Sequence, residues 1–465
     1  MEGSLSRRDL LRFGLAAGAA LPWGFASAAG EEPPKVAEGY LDAAVRAGRF
    51  IRSTRVETPR GLLWLQGPER PEGMSASPDL YSGTPGVVLF LLELARATGD
   101  KTWREEAEAG ADYLIETLPA ALDPAREEAG LYTGVAGTGF VLQRVYRDTG
   151  NPAYRTGAAR CRDLIHAAAQ KVGAGVGWGE GTDIIAGAAG TGLALLARAR
   201  ETDDPASREL AVKAGLRLIE LGIPEAGGLK WRYRMPPADE SERLMPNFSH
   251  GTAGIAYFLA TLARETGGKE LLDAALAGAR YLQAVANTAG DGCVIFHHEP
   301  EADGKDLYYL GWCHGPAGTS RLFVQLREAT GDERWLEWVK KGARSILASG
   351  IPESQTPGFW NNAGMCCGVA GVADFFLDLH RRTGEEPYLA FARRLARNLL
   401  ARATPTAGGD GLKWVHAEHR VRPDYAYAQT GYMQGAAGIG LLLLRMDALE
   451  KGRDWTLRLP DAPSL

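Results

Sequence analysis

The motif Gly-x-x-Gly recurs seven times along the chain, at Gly83/Gly86, Gly134/Gly137, Gly187/Gly190, Gly251/Gly254, Gly315/Gly318, Gly368/Gly371 and Gly435/Gly438. The first glycines are 51, 53, 64, 64, 53 and 67 residues apart, and each pair opens an apolar stretch such as Val87 to Leu92 or Ile255 to Leu259. In six copies a threonine stands 12 residues after the second glycine: Thr98, Thr149, Thr202, Thr266, Thr330 and Thr383. Five of these precede Gly, and Thr202 precedes Asp203. A glycine-rich composition alone does not produce a constant offset. Gly after about three turns of apolar periodicity stops a helix. Each stop leads into a second periodic segment, such as Trp103 to Leu118 or Tyr388 to Leu400. The repeating unit is therefore a helical hairpin, an inner helix followed by an outer one.

A single hairpin cannot bury its apolar face, and inner helices apolar on most sides must be surrounded by other helices. Seven pairs closed in a ring give an all-α (α/α)7 toroid. Glycines at i and i+3 share one face of a helix start, where they let neighbouring backbones approach around the ring axis. The inner-helix N-termini then converge on one end, beneath a set of loops. Gly228–Tyr233 and Gly411–His416 alternate apolar and polar as short strands do. Gly61–Trp64 and Cys293–Phe296 are similar, so short β segments are expected at the toroid mouth.

The start of the chain carries different information. Ser6-Arg7-Arg8-Asp9-Leu10-Leu11-Arg12 leads into a mildly apolar run and then Ala26-Ser27-Ala28, the form of a cleavable export signal. Its paired arginines resemble a twin-arginine signal, whose route carries proteins already folded. Pro22 and the Gly/Ala content argue against a permanent membrane helix there, and no later segment is long enough to span a bilayer. The expected organisation is a signal over 1–28, a linker over 29–35, the toroid over 36–455 and a tail over 456–465, in a periplasmic monomer. A net charge of -5, with no basic block in the mature chain, argues against nucleic acid as a partner.

The seven copies differ just before the first glycine. Four carry residues of little evident chemistry: Ser82, Thr133, Ala186 and Gln434. Copy four has His250, copy five reads Gly311-Trp312-Cys313-His314-Gly315, and copy six reads Met365-Cys366-Cys367-Gly368. Equivalent positions in a ring point at the same mouth, so three of the five cysteines can meet there. Three thiolates around one tetrahedral Zn²⁺ leave an open position, as a catalytic rather than a structural site does. Helix N-termini favour thiolate over thiol. Buried cysteines packed as small hydrophobes, or a Cys366–Cys367 disulfide, are the alternatives. Cys313 at the matching position of the neighbouring repeat weighs against both. Cys161 reads as core and Cys293 as loop.

Seven Gly-x-x-Gly helical pairs, Trp312-Cys313-His314-Gly315 and Cys366-Cys367-Gly368 together resemble the lanthionine synthetase C-like family, over about Pro34 to Glu450. The resemblance implies an α/α toroid holding a catalytic zinc. The family's cyclases add a peptide thiol to dehydroalanine or dehydrobutyrine to form a thioether, and some members add a small thiol such as glutathione to dehydrated peptides. It implies Cys313 and Cys366 as zinc ligands, with Cys367 where the usual motif has histidine. It further implies Asp183 and His250 as active-site residues. Two positions depart from the family pattern: His314 replaces a tyrosine, and Tyr308 and Tyr309 stand where the cyclases have an arginine.

The chemistry suits these residue types. A thiol of pKa about 8.5 is mostly protonated at neutral pH and loses its proton on a metal. Attack on Cβ of a dehydro residue leaves an enolate that an acid must protonate, with His250 the first candidate and His314 the second. Asp183 is read as orienting His250 or taking the thiol proton, against the simpler reading of a helix N-cap. His297, His298, His416 and His419 read as solvated mouth-loop residues. Two other readings remain: a glycan-active toroid, which needs paired carboxylates at the mouth, and a non-catalytic, zinc-stabilised peptide-binding protein.

Overall fold

The computed structural model describes residues 39–70, 72, 76–234, 243–300 and 302–463. The expected signal and linker lie outside them. The inner helices are Thr84–Thr98, Val135–Thr149, Ala188–Thr202, Thr252–Thr266, Pro316–Thr330, Val369–Thr383 and Ala436–Glu450. Six are followed by their outer partners: Lys101–Glu116, Pro152–Ala168, Pro205–Glu220, Lys269–Val285, Arg334–Ala348 and Glu386–Arg402. The seventh inner helix takes as its partner Tyr40–Ser53, which precedes all the repeats in sequence. The seventh inner helix also packs on the first, so the double ring is closed.

The repeated residues have local causes. The Thr98 hydroxyl donates to the Leu94 carbonyl at 2.7 Å and accepts from the Asp100 N–H at 3.2 Å, while Gly99 turns the chain at φ +73°. In the third copy Asp203 takes the same left-handed conformation at φ 50°, which Asp tolerates better than most residues. In six of the seven pairs the second glycine answers two close approaches, and Gly371 meets Met365 of its own entry loop. A Cβ on Gly318 would fall onto the Trp312 carbonyl oxygen of its own entry loop and lie 2.9 Å from Phe248 Cβ of the neighbouring repeat. The motif therefore serves the folded-back loop as well as the ring contact that the sequence predicts.

A circuit of backbone hydrogen bonds joins the seven entry loops. The N–H of Tyr81 donates to Tyr132 (2.9 Å), Tyr132 to Ile185 (2.9 Å), and Ile184 to Ser249 (3.2 Å). Ser249 donates to Cys313 (2.9 Å), Cys313 to Cys366 (3.0 Å), Cys366 to Met433 (3.0 Å), and Met433 back to Tyr81 (2.8 Å). This ring fixes the height of each residue just ahead of its helix.

The described strands form five two-stranded antiparallel hairpins. Three predicted β segments contain strands, at Gly61–Trp64, Gly228–Lys230 and Leu412–Lys413, whereas Cys293–Phe296 contributes one bridge, Asn287 to Val294. Gly61–Trp64 and Gly228–Lys230 pack on outer helices. Trp231 and Trp414 anchor their segments by donating from Nε1 to the Leu218 and Leu399 carbonyls near outer-helix ends, at 2.6 and 2.8 Å.

Of the segment expected as a tail, residues 457–463 pack against the toroid, with Leu457, Pro460, Asp461 and Pro463 buried. Asp461 is fully buried. Its carboxylate meets the Arg321 guanidinium at 2.8 Å and accepts from the Tyr132 hydroxyl at 3.1 Å. Arg321 in turn lies over the rings of Phe248 and Trp312, 5.5 and 5.9 Å from their centroids. Trp312 adjoins Cys313, so the tail helps floor the site above it.

Candidate metal centre and its surroundings

Cys313 and Cys366 occupy the same register, two residues before their glycines, and the backbone hydrogen bond between them holds repeats five and six together there. Cys367 projects from the next position. Its sulfur lies 3.2 Å from that of Cys313 and 3.5 Å from that of Cys366, and all three fall within 4.8 Å of one another. Cys313 and Cys366 are buried and Cys367 half-buried. A disulfide needs an S–S separation of about 2 Å. Three sulfurs at about 2.3 Å around a tetrahedral ion stand about 3.8 Å apart. The cluster fits the second spacing after shifts of roughly half an ångström, and its donors suit a thiophilic divalent cation. Hydrogen bonds from Cys313 and Cys367 hold the Cys366 thiol well below the usual range, while burial pushes Cys313 up.

Asp183 reaches His250 and braces its own entry loop, while the N-cap of the third inner helix is Gly187. Its Oδ1 accepts from the N–H groups of Ala186 and Gly187 at 2.9 and 2.8 Å, bracing the turn ahead of the third inner helix, whose first N–H groups bond the Gly181, Thr182 and Asp183 carbonyls. Its Oδ2 meets His250 Nδ1 at 2.5 Å. The His250 side chain keeps 32% exposure, although protein surrounds the ring closely. Burial alone would lower its pKa, but the Asp183 carboxylate outweighs burial and the net shift is upward.

His314 behaves oppositely. Burial, then the neighbouring histidines, drive its pKa well below the usual value, so it is a neutral imidazole. Its Nδ1 is buried with no hydrogen-bond partner among the described residues. Its ring centroid lies 4.4 Å from His297 and 5.6 Å from both His250 and Tyr309.

Three of the mouth-loop histidines are not solvated as the sequence predicts. His416 is fully buried, with Nε2 2.7 Å from the Gln434 carbonyl. His298 is buried and His297 half-buried, their Nδ1 atoms 2.7 Å apart, and burial lowers His297 to about 3. His419 is exposed as expected. Tyr309 packs against His297 and Trp360, with the Arg420 side chain at its hydroxyl. At the position where the resemblance calls for an arginine, Tyr309 thus meets one from a distant loop. Gln434 also belongs to the site: its Nε2 lies 3.1 Å from the Tyr81 hydroxyl and 4.0 Å from Cys367 Sγ. Its register before Gly435 was the available signal; its chemistry there is invisible until repeats six, seven and one are adjacent. Cys161 and Cys293 are buried away from the cluster.

A family profile described as lanthionine synthetase C-like protein matches residues 75–457. Among solved structures, nisin cyclase superposes with a TM-score of 0.59 at 17% identity, covering 80% of this chain and 89% of its own. A protein from Listeria innocua gives 0.51 at 13%, covering 90% and 100%. An inactive variant of an α-1,6-mannanase of Salegentibacter sp. HEL1_6 gives 0.50 at 13%, covering 88% and 99%. At these identities the structures share a toroidal fold and nothing finer.

Proposed function

The chain belongs to the lanthionine synthetase C-like family, and from that premise we propose that it adds a thiol to dehydroalanine or dehydrobutyrine in a peptide, forming a thioether. The observation that carries this is the meeting of three sulfurs from two repeats beside a carboxylate-paired histidine. Cys313, Cys366 and Cys367 would hold Zn²⁺, which when bound keeps an incoming thiol deprotonated at neutral pH and leaves a position open for it.

The remaining chemistry falls to the chain's own side chains. In the addition the S–H bond breaks, a C–S bond forms at Cβ, and the π electrons move toward the carbonyl as an enolate. A proton must then reach Cα. His250 suits that delivery because Asp183 fixes its Nδ1 side and favours its charged form, leaving Nε2 for the substrate. His314, the second acid candidate, is disfavoured as the donor because burial and the neighbouring histidines oppose its protonated form. Asp183 positions His250 and is not free to act elsewhere.

A glycan-cleaving reading has less support: Asp183 is committed to its entry-loop turn and to His250, and Glu127 is paired with Arg234 at 3.0 Å. The test measures zinc in protein purified without chelator, together with glutathione addition to a dehydroalanine peptide. We expect about one zinc per chain, lost in Cys366→Ala together with activity. Equal zinc in the wild type and in a triple Cys→Ala variant refutes the metal centre; zinc without addition refutes the reaction.

A further inference from the structure

The inner helices repeat a charge pattern near their C-terminal ends. Five carry an arginine ten residues after the second glycine: Arg96, Arg147, Arg200, Arg264 and Arg381. Eleven residues after that glycine, repeats two, three and four carry Asp148, Glu201 and Glu265. Ring neighbours turn this offset into ion pairs. Arg96 meets Asp148 at 2.7 Å, Arg147 meets Glu201 at 3.2 Å and Arg200 meets Glu265 at 3.3 Å. In repeat seven the acidic register holds Leu449. Arg381, on inner helix six, therefore lacks the carboxylate that these equivalents have, and among the described residues it makes no ion pair. It lines a cavity of about 70 Å³ enclosed by inner helices five, six and seven and by residues 455–463. At ~15 Å³ per water molecule that is room for about five, close to one tetrahedral oxyanion. Four arginines and two aspartates line it. Arg445 bonds both Asp374 and Asp378, and Arg321 bonds Asp461, so these charges are spent on one another. The other two arginines are Arg381 and Arg458. Arg458 donates to the Pro463 carbonyl at 3.2 Å and makes no ion pair among the described residues. Burial opposes its cation, and Arg381 and Arg445 add to that against the pull of Asp378.

We propose that this cavity is a binding site for a small tetrahedral oxyanion of the phosphate type, held between Arg381 and Arg458. Guanidinium groups suit such a ligand because their planar forks match two of its oxygens at once. A side-chain carboxylate at the vacant register would satisfy Arg381 alone, whereas a tetrahedral anion has oxygens for both arginines. The ligand would fasten residues 455–463 to inner helix six. None of the cysteines and histidines of the candidate metal centre lines this cavity, so the inference stands apart from the reading of that centre.

The probe is inorganic phosphate, titrated into the whole chain as purified at constant ionic strength, with binding read by calorimetry and by the rise in Tm. Binding should saturate. Arg381→Gln and Arg458→Gln should each weaken it about 10-fold, as loss of a hydrogen bond to a charged group does. Arg147→Gln, at the same register but paired with Glu201, should leave it unchanged. Leu449→Glu is the sharper variant. It supplies the carboxylate that the repeat lacks, so it should raise Tm in the absence of phosphate and weaken phosphate binding as Arg381→Gln does. Phosphate held elsewhere, the metal centre included, does not answer to that change. No saturable binding in the wild type, or equal binding in the wild type, Arg381→Gln and Leu449→Glu, overturns the inference. Arg381 and Leu449 are both exposed, so neither substitution threatens the fold.

Discussion

Asp461→Asn should destabilise the protein far more than an average surface change. The carboxylate is fully buried, forms an ion pair with Arg321 at 2.8 Å and accepts from the Tyr132 hydroxyl at 3.1 Å. Asn nearly preserves the shape and can still accept from Tyr132, but it leaves the guanidinium without its counter-charge. Burial disfavours that cation and Asp461 is the leading group that offsets the cost. Breaking one partner of a buried pair costs about 3–5 kcal/mol. With an unfolding entropy of about 2.1 cal/mol/K per residue, a domain of roughly 400 residues has about 0.8 kcal/mol per kelvin, so the loss corresponds to a fall in Tm of about 4–6 °C. Differential scanning calorimetry at one scan rate, on metal-loaded protein, measures it. Replacing both partners, Arg321→Met with Asp461→Leu, should recover part of the loss, because no charge is then left buried alone. A single variant melting within about 1 °C of wild type, or a double variant worse than the single, would refute the reasoning.

Three further outcomes are expected. His250→Asn should retain zinc yet slow thiol addition by about 10²–10⁴-fold, since it removes the proton donor alone; unchanged rates in single-turnover assays would move that role elsewhere. Because the Asp183 carboxylate raises the His250 pKa, the acid form persists above the ordinary histidine value of about 6.5 and is lost as pH rises further. The rate should therefore fall on an alkaline limb, and Asp183→Asn should move that limb to lower pH; a limb that does not move means another group titrates. Finally, on the hypothesis that residues 1–28 are a twin-arginine signal, replacing Arg7 and Arg8 with Lys should retain zinc-loaded protein in the cytoplasm. A thread-through signal should instead yield metal-poor or disulfide-bonded protein in the periplasm, because unligated thiols so close together oxidise readily; fully metallated protein from that route defeats the hypothesis.

The sequence alone determined the repeat, its helix stops and the gathering of Cys313, Cys366 and Cys367. These are local properties. A Gly-x-x-Gly start, apolar turns and a Thr-Gly stop specify the same loop and helix in each copy, and residues at one register in a ring must face one another. The same logic placed His250 near the thiols. It said nothing of what lies between copies.

Only the tertiary structure decided that Asp183 both braces its entry loop and holds His250, that Tyr40–Ser53 partners the last inner helix, and that the chain near Asp461 packs in to pair that residue with Arg321. It likewise brought Gln434 against Tyr81, 353 residues away in sequence. The physical reason is closure. Where a side chain points at a ring junction depends on how many units complete the circle and on which donors and acceptors the neighbours leave unused. The registers of Tyr81 and Gln434 before their glycines are visible in sequence, but nothing there joins them to Asn362. The polarity of the hydrogen bonds joining the three is set by the Gly364 N–H and the Ala417 carbonyl, backbone groups whose positions exist only once the circle is shut.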